Sequence, residues 1–265
     1  MRKEDRKSGI DALGNVRWGT HCCQLYQTSE DLVDILVPYF KAGLKNNEFC
    51  MWITAEPLRE QEAEAALREA VSDFDSYLKR GQIEILPYDG WYLKAGIFNS
   101  ASVLSGWLDK LNQALVKGYD GMRLTSNTFW LEKKDWRSFA DYEAVVNSMI
   151  GRYRTMAICS YYVDKLGSAE FIDVVRSHQC VLSRQADHWG ATKKKNMLAK
   201  SVETSGKLFS FQPKQMLTVG EVARLLGVHP NTVRRWSRMG ILRHRRVGSG
   251  YRRFLMEDVE RLLRR

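Results

Sequence analysis

Leu217-Thr-Val-Gly-Glu-Val-Ala-Arg-Leu-Leu-Gly-Val-His-Pro-Asn-Thr-Val-Arg-Arg-Trp236 reads as a helix, a turn and a second helix. Val219, Val222, Ala223 and Leu226 recur at i, i+3, i+4 and i+7, one apolar stripe of a 3.6-residue period, and Thr218 with Glu221 three residues on predicts a capping box. Gly227 breaks that helix. Pro230 suits the first turn of the next, where no amide hydrogen is needed, and Val233 and Trp236 give it a buried side. The other side holds Asn231, Thr232, Arg234, Arg235 and Arg238.

Outward from this pair, residues 241–254 form two short runs around Gly248-Ser-Gly250, which predicts a β-hairpin wing. One arm carries Arg243, Arg245 and Arg246, the other Tyr251, Arg252 and Arg253. Residues 256–263 then predict a short closing helix with Val259, Leu262 and Leu263 inward. Residues 215–265 hold 12 arginines and 4 acidic residues, so they supply +8 of the chain's net charge of +10. Basic character that is concentrated in this way marks a site, and the partner it implies is double-stranded DNA. Asn and Arg bond base edges in pairs and Arg neutralises phosphates, so the eleven polar residues just named on the second helix and the wing are the candidate DNA contacts.

The order and spacing of these residues resemble the winged helix-turn-helix of the MerR and excisionase superfamily, over about fifty residues. MerR regulators place this module first and follow it with a long dimerising helix, whereas here the sequence stops at Arg265. A homodimer on a two-fold operator is therefore expected to form through the N-terminal domain, the alternative being side-by-side binding templated by the DNA.

The preceding residues, 16–190, alternate apolar runs with helical patterns. Strands are predicted at 21–26, 49–54, 83–87, 122–126 and 156–162, and helices at 29–45, 59–79, 101–117 and 136–154. This alternation predicts an α/β domain of three layers around a mainly parallel sheet. Residues 1–15 read as an N-terminal tail, 191–214 as a connector, helical at first, and 215–265 as the small winged helix-turn-helix domain. No apolar run approaches the ~20 residues that span a bilayer, and no signal peptide is visible, so a cytoplasmic protein is expected. The five cysteines are odd in number and lie mostly in apolar runs, which favours free thiols in a reducing compartment.

The loop after the first strand is Gln27-Thr-Ser-Glu-Asp31. It lacks a phosphate cradle, and Thr28 with Asp31 predicts a capping box instead. No GxGxxG, GxSxG, HExxH or CxxC occurs, so neither an enzyme nor a cofactor is expected. The first strand opens with His21-Cys-Cys23, which puts His21 and Cys23 on one face and Cys22 on the other. Imidazole and thiolate bind borderline metals, and Cys50, Cys159, His178, Cys180 and His188 are further possible ligands; equally, strand cysteines pack as small hydrophobes and His21 as a hydrogen-bonded core residue. No spaced ligand pair appears, so no metal is assigned. A Cys22 nucleophile is disfavoured, since His21 points to the opposite face.

Ligands on open α/β sheets bind at the carboxyl ends of the strands. The candidate effector residues there are Tyr26, Gln27, Thr28, Glu56, Tyr88, Asp89, Trp91, Asn127, Trp130 and Tyr161, where aromatics and small polar groups converge.

Gly19-Thr-His-Cys-Cys-Gln-Leu-Tyr26, Ser29-Glu-Asp-Leu-Val-Asp-Ile-Leu-Val-Pro-Tyr-Phe-Lys-Ala-Gly-Leu44 and Glu48-Phe-Cys-Met-Trp-Ile-Thr-Ala-Glu-Pro57 resemble the MEDS sensory domain, over residues 15–190. The resemblance implies a degenerate RecA-like or KaiC-like fold without a working phosphate loop. It also implies sensing of simple hydrocarbon derivatives, with His21 and Cys22 as the functional strand residues. A nucleotide remains a second effector class, because such a cleft can keep a nucleotide site. The expectation is a one-component transcriptional regulator that couples a small effector to operator DNA. The alternatives are a thiol- or metal-responsive regulator using His21, Cys22 and Cys23, and an architectural, excisionase-like protein.

Overall fold

The computed structural model describes residues 5–185, 188–193, 216–225, 228, 230–247, 251–255 and 258–259. The chain divides into two compact units, Met1–Glu203 and Thr204–Arg265.

The first unit is built on a seven-stranded sheet. Its strands are β3 (His21–Tyr26), β4 (Phe49–Thr54), β5 (Ile83–Pro87), β6 (Met122–Asn127), β7 (Thr155–Tyr162), β8 (Cys180–Gln185) and β9 (His188–Lys193), in the order β5-β4-β6-β7-β3-β8-β9. All pairings are parallel except β8 with β9. Strands covered on both faces read as continuous apolar runs, and β3, β4 and β6 are buried at every residue. Successive side chains face opposite layers. Cys23, Met51, Leu124 and Cys159 pack with α5 (Ser100–Val116), α6 (Trp136–Met149) and α7 (Ser168–Ser177). Tyr26, Trp52 and Ile158 pack with α1 (Ser29–Lys45), α2 (Glu60–Ala70) and α3 (Phe74–Lys79). A short α4 (Tyr88–Trp91) follows β5. The expected three-layer α/β architecture is what forms.

The capping box at α1 is present: Asp31 N donates to Thr28 Oγ1 at 3.2 Å, and Asp31 Oδ2 accepts from Thr28 N at 3.1 Å. The helix predicted over 59–79 is two, because Asp73 adopts φ +58° between α2 and α3. The helix predicted to reach residue 154 ends at Met149 and continues as a 3-10 turn.

Three expectations are corrected. The tail is not separate: β1 (Asp5–Lys7) and β2 (Asn15–Arg17) form a hairpin whose loop buries Ser8 and Ile10. Gly9 sits there at φ +86°, where a Cβ would lie 2.0 Å from the Pro38 carbonyl oxygen, so only glycine fits. The buried Arg123 guanidinium holds the segment, donating to Ser8 O and Tyr39 O at 2.7 Å each, to Lys7 O at 3.0 Å and to Glu48 Oε2 at 2.6 Å. The connector begins later than expected, since Ala191, Thr192 and Lys193 pair with β8; residues 194–214 lie outside those described. The cysteines are not all free thiols: Cys22 and Cys180, register partners on neighbouring parallel strands, form a disulfide, while Cys23, Cys50 and Cys159 are free and buried. Across two strands ~4.8 Å apart the geometry permits such a bond, which spacing along the sequence does not reveal.

The second unit has α8 (Val219–Leu225), α9 (Pro230–Arg238) and a three-stranded sheet ordered β10 (Met216–Leu217), β12 (Tyr251–Leu255), β11 (Arg245–Val247). Leu217, Val222, Ala223, Val233, Leu242, Phe254 and Val259 form its core, with Val219 and Trp236 half-buried against it. Val219, Val222 and Ala223 of the predicted stripe and the two arms of the wing are therefore present, with β11 and β12 antiparallel and Arg246 opposite Arg252. Strand β10, which pairs Leu217 with Phe254, was not foreseen. Leu226, Gly227, Gly248–Gly250, Leu262 and Leu263 lie outside the described residues.

Candidate functional site

Side chains of β3, β6 and β7 and of α5 and α6 enclose a cavity of about 560 Å³, counting its open mouth. Its wall is largely apolar: Leu104, Trp107, Leu108, Leu111, Met122, Leu124, Val146 and Ala157 line it, joined by Tyr92, Ser126 and Tyr142. His21, Glu143 and Cys159 also belong to this wall. Because His21, Met122 and Thr155 open their strands, the cavity lies against one face of the sheet toward the amino ends of its strands.

At its edge, four buried donors converge. His21 Nε2 lies 3.3 Å from both Cys159 Sγ and Glu143 Oε2. His178 Nε2 is 3.4 Å from the same carboxylate oxygen, and the Cys159 thiol donates to it at 3.7 Å. All four donors fall within 4.8 Å of one another. The two imidazole rings overlap at 4.1 Å between centroids, and Tyr161 meets His178 edge-on at 5.6 Å. Burial, augmented by the Glu143 carboxylate, holds the Cys159 thiol well above its ordinary pKa.

Local sequence explains each placement. Phe139, Tyr142, Glu143 and Val146 share the inward stripe of α6, so Glu143 is an acid on an apolar face. That stripe was the available signal for a residue the sequence reading missed. His178 ends α7 in an extended conformation, and Gln179 N donates to His21 O at 2.8 Å, which draws the two histidines together. Beside them the Cys22–Cys180 bond straps the same two strands.

The sequence-predicted effector residues do not gather in one place. Only His21 lines the cavity; Cys22 is bonded to Cys180, so the expected His21/Cys22 pair is not available as a pair of ligands. Tyr26 lies ~16 Å further along the strand. Its hydroxyl donates to Asn127 Oδ1 at 2.9 Å, and the Asn127 amide donates to Ala55 O and Glu56 O at 3.4 Å each. Glu56 accepts from Arg59 Nε at 2.6 Å. Gln27 and Thr28 are exposed, and Thr28 serves as the cap of α1. Tyr88 stacks on Trp130 at 5.9 Å, Trp91 packs on Trp107 at 4.6 Å, and Asp89 is exposed. A hollow at the strand ends, lined by Thr128, Leu131, Trp136, Tyr162 and Glu170 among others, contains none of the expected residues. Of the possible metal ligands, Cys159 and His178 join His21, Cys50 sits on the opposite face of the sheet, Cys180 is disulfide-bonded, and His188 is exposed.

In the second unit, Asn231, Arg234, Arg235 and Arg238 are exposed along one side of α9 and Thr232 is half-buried. Arg234 Nη1 donates to Asn231 Oδ1 at 2.8 Å. Ser237 Oγ and His244 Nδ1 are hydrogen-bonded at 2.8 Å, tying α9 to the start of the wing. Arg243 is exposed, and Arg252 and Arg253 are half-buried; the side chains of Arg245, Arg246 and Tyr251 lie outside the described set. Among the described residues no helix is long and apolar enough to cross a membrane.

Comparison with known proteins places this geometry in context. Residues 216–265 match a helix-turn-helix domain model. The transcriptional repressor DcmR of Methylorubrum extorquens (strain DSM 6343 / CIP 106787 / DM4) is 26% identical over 168 residues, which are 62% of this chain and 60% of the repressor. The match therefore spans about three fifths of that relative's length. Among solved structures, the KaiC-like protein PH0186 of Pyrococcus horikoshii OT3 is 19% identical with a TM-score of 0.45, covering 71% of this chain and 86% of that one. The flagellar accessory protein FlaH of Methanocaldococcus jannaschii is 12% identical with a TM-score of 0.45, covering 71% and 84%. Residues 20–179, more than half of the chain, match the model described as MEDS, the MEthanogen/methylotroph, DcmR Sensory domain, and the chain belongs to that family.

Proposed function

We propose that this chain is a one-component transcriptional regulator. The apolar cavity against β3, β6 and β7 takes a small effector, and α9 with the wing binds operator DNA. The observation that carries this reading is the presence, in one chain, of an apolar cavity and a helix-turn-helix whose exposed side is Asn231, Arg234, Arg235 and Arg238. A relative bearing the name of a transcriptional repressor supports it. The effector class is a small, mostly apolar molecule, because the wall offers mainly Leu, Met, Val and aromatic surface. A guest burying ~150 Å² of apolar area gains about 4 kcal/mol from that burial, against which the cost of association is set. In this reading the protein binds its effector without turning it over, acts as a homodimer on a two-fold operator, and works in the cytoplasm. Coupling requires that the effector prefer one of two arrangements of the dimer.

The deciding experiment is an anisotropy titration of the full chain on duplex from its own gene's promoter region at moderate salt. Preference over random duplex supports the regulator, and equal affinity for both refutes it. Arg235→Ala is expected to lose about 1–3 kcal/mol of discrimination, while Arg243→Ala or Arg252→Ala weakens all duplexes and lowers the salt slope by about 0.9.

A further inference from the structure

We propose that His21, Glu143, Cys159 and His178 form a binding site for one divalent first-row transition ion, for which zinc is the best fit. The observation is the convergence of two imidazoles, a carboxylate and a thiol, all buried, at the edge of the apolar cavity.

The spacing is that of a coordination shell. Zinc binds N and O donors at ~2.0–2.1 Å and S at ~2.3 Å, and the edge of a tetrahedron is ~1.63 times its centre-to-corner distance, so paired donors sit ~3.3–3.7 Å apart. Four of the contacts among these donors are 3.3, 3.3, 3.4 and 3.7 Å. The remaining pairs are within 4.8 Å, so a contraction of about an ångström or less closes the shell.

The hydrogen bonds around the cluster are compatible with an ion. His178 Nδ1 lies 2.7 Å from the Val174 carbonyl oxygen, which can only accept, so Nδ1 carries the proton. Nε2 is then the ring nitrogen turned toward Glu143 Oε2, 3.4 Å away, and in the neutral tautomer its lone pair is directed into the cluster. A ring nitrogen donating to a backbone carbonyl while the other faces the ion is the usual outer arrangement of a metal-binding histidine. The mixed N, O and S donors suit ions of borderline softness and disfavour magnesium or calcium. Zn²⁺ with one carboxylate and one thiolate leaves the buried site neutral, and binding releases the Cys159 proton to solvent. His21, Glu143 and Cys159 are also cavity wall, so the ion would border the space given to the effector.

This site goes beyond the regulatory reading and does not rest on it. Metal content is read on the protein alone and operator preference on DNA, so either can fail while the other stands. The test is titration of the metal-stripped full chain with Co²⁺ under anaerobic conditions. One Co²⁺ per chain, tetrahedral ligand-field bands, a near-ultraviolet thiolate-to-cobalt band and displacement by Zn²⁺ are expected. Cys159→Ser should lose the near-ultraviolet band, and His178→Ala and Glu143→Gln should each weaken binding at least tenfold, while Cys50→Ala changes nothing. Absence of the band in the wild type, or its survival in Cys159→Ser, overturns the proposal. X-ray absorption on the zinc-loaded wild type needs no variant: one sulfur at ~2.3 Å with N/O at ~2.0–2.1 Å supports the site, and a shell of oxygen alone overturns it.

Discussion

Arg123→Met removes the buried guanidinium on β6 that joins the N-terminal hairpin to the sheet. Methionine fills similar space but donates nothing, so Glu48 Oε2 and the carbonyls of Lys7, Ser8 and Tyr39 each lose a donor, and the Tyr39 ring loses a cation 4.6 Å from its centre. Glu48 is fully buried, and Arg6 Nε, 3.8 Å away, is the partner that remains. Breaking a buried pair from one side costs about 3–5 kcal/mol, because the surviving charge stays uncompensated. Removing both charges in Arg123→Met/Glu48→Leu leaves the lost hydrogen bonds to the three carbonyls, which the single variant loses as well, but not the uncompensated carboxylate, so the double variant should be the more stable of the two. The pH dependence gives a second signature. Burial raises the Glu48 carboxyl, and Arg123 and then Arg6 lower it, so loss of Arg123 raises it further. A carboxyl raised in the folded state favours folding at low pH and loses that stability as pH rises through the folded value. The penalty of Arg123→Met should therefore be largest at pH 7.5 and shrink as the solution is acidified toward 5. Urea denaturation followed by tryptophan fluorescence reports mainly on this unit, which holds every tryptophan except Trp236. A cost below about 1 kcal/mol, a double variant no better than the single, or a penalty flat with pH would refute the reasoning.

Benzene at ten times its Kd should raise the melting temperature of the larger unit by about 3–6 °C, and Ala157→Leu, which grows into the cavity, should abolish the shift in differential scanning fluorimetry. Cys22→Ala/Cys180→Ala opens a covalent loop closed across 158 residues. The chain-entropy model gives about 5 kcal/mol for that closure, so urea midpoints unchanged between the variant and the oxidised wild type would show that the bond contributes nothing. Phe254→Ala empties the core of the small unit at a cost of about 3–5 kcal/mol, and anisotropy should show loss of DNA binding while the far-ultraviolet signal of the larger unit persists.

The elements that announced themselves in the sequence are those governed by local pattern. β3 to β7 were readable as short apolar runs between helical patterns, and α1 through its Thr28/Asp31 box. β8 and β9 were not, because Cys180-Val-Leu-Ser-Arg-Gln185 and His188-Trp-Gly-Ala-Thr-Lys193 mix polar and apolar residues as a sheet edge permits. Asp5-Arg6-Lys7 reads as solvated charge, yet it is held by its backbone pairing and by Arg123, a contact that no local pattern encodes. His21 was singled out, with Cys159 and His178 among its possible companions, but Glu143 was missed and Cys22 proved to be bonded elsewhere. Its partners Glu143, Cys159 and His178 are separated from it by more than a hundred residues, and sheet register brings them together. The exposed side of α9, Asn231, Arg234, Arg235 and Arg238, was legible because it lies on one short amphipathic segment.

Strand β8 starts two residues past His178 and joins antiparallel to β9, whose last residue is Lys193, and from there the chain leads to the second unit. The edge hairpin thus follows the buried cluster directly in the chain. An edge pair has hydrogen bonds on one side only, so it is the part of the sheet that can shift with least disruption. An occupant that changes how His178 sits against His21 would act two residues ahead of that pair, on the most yielding strands of the sheet.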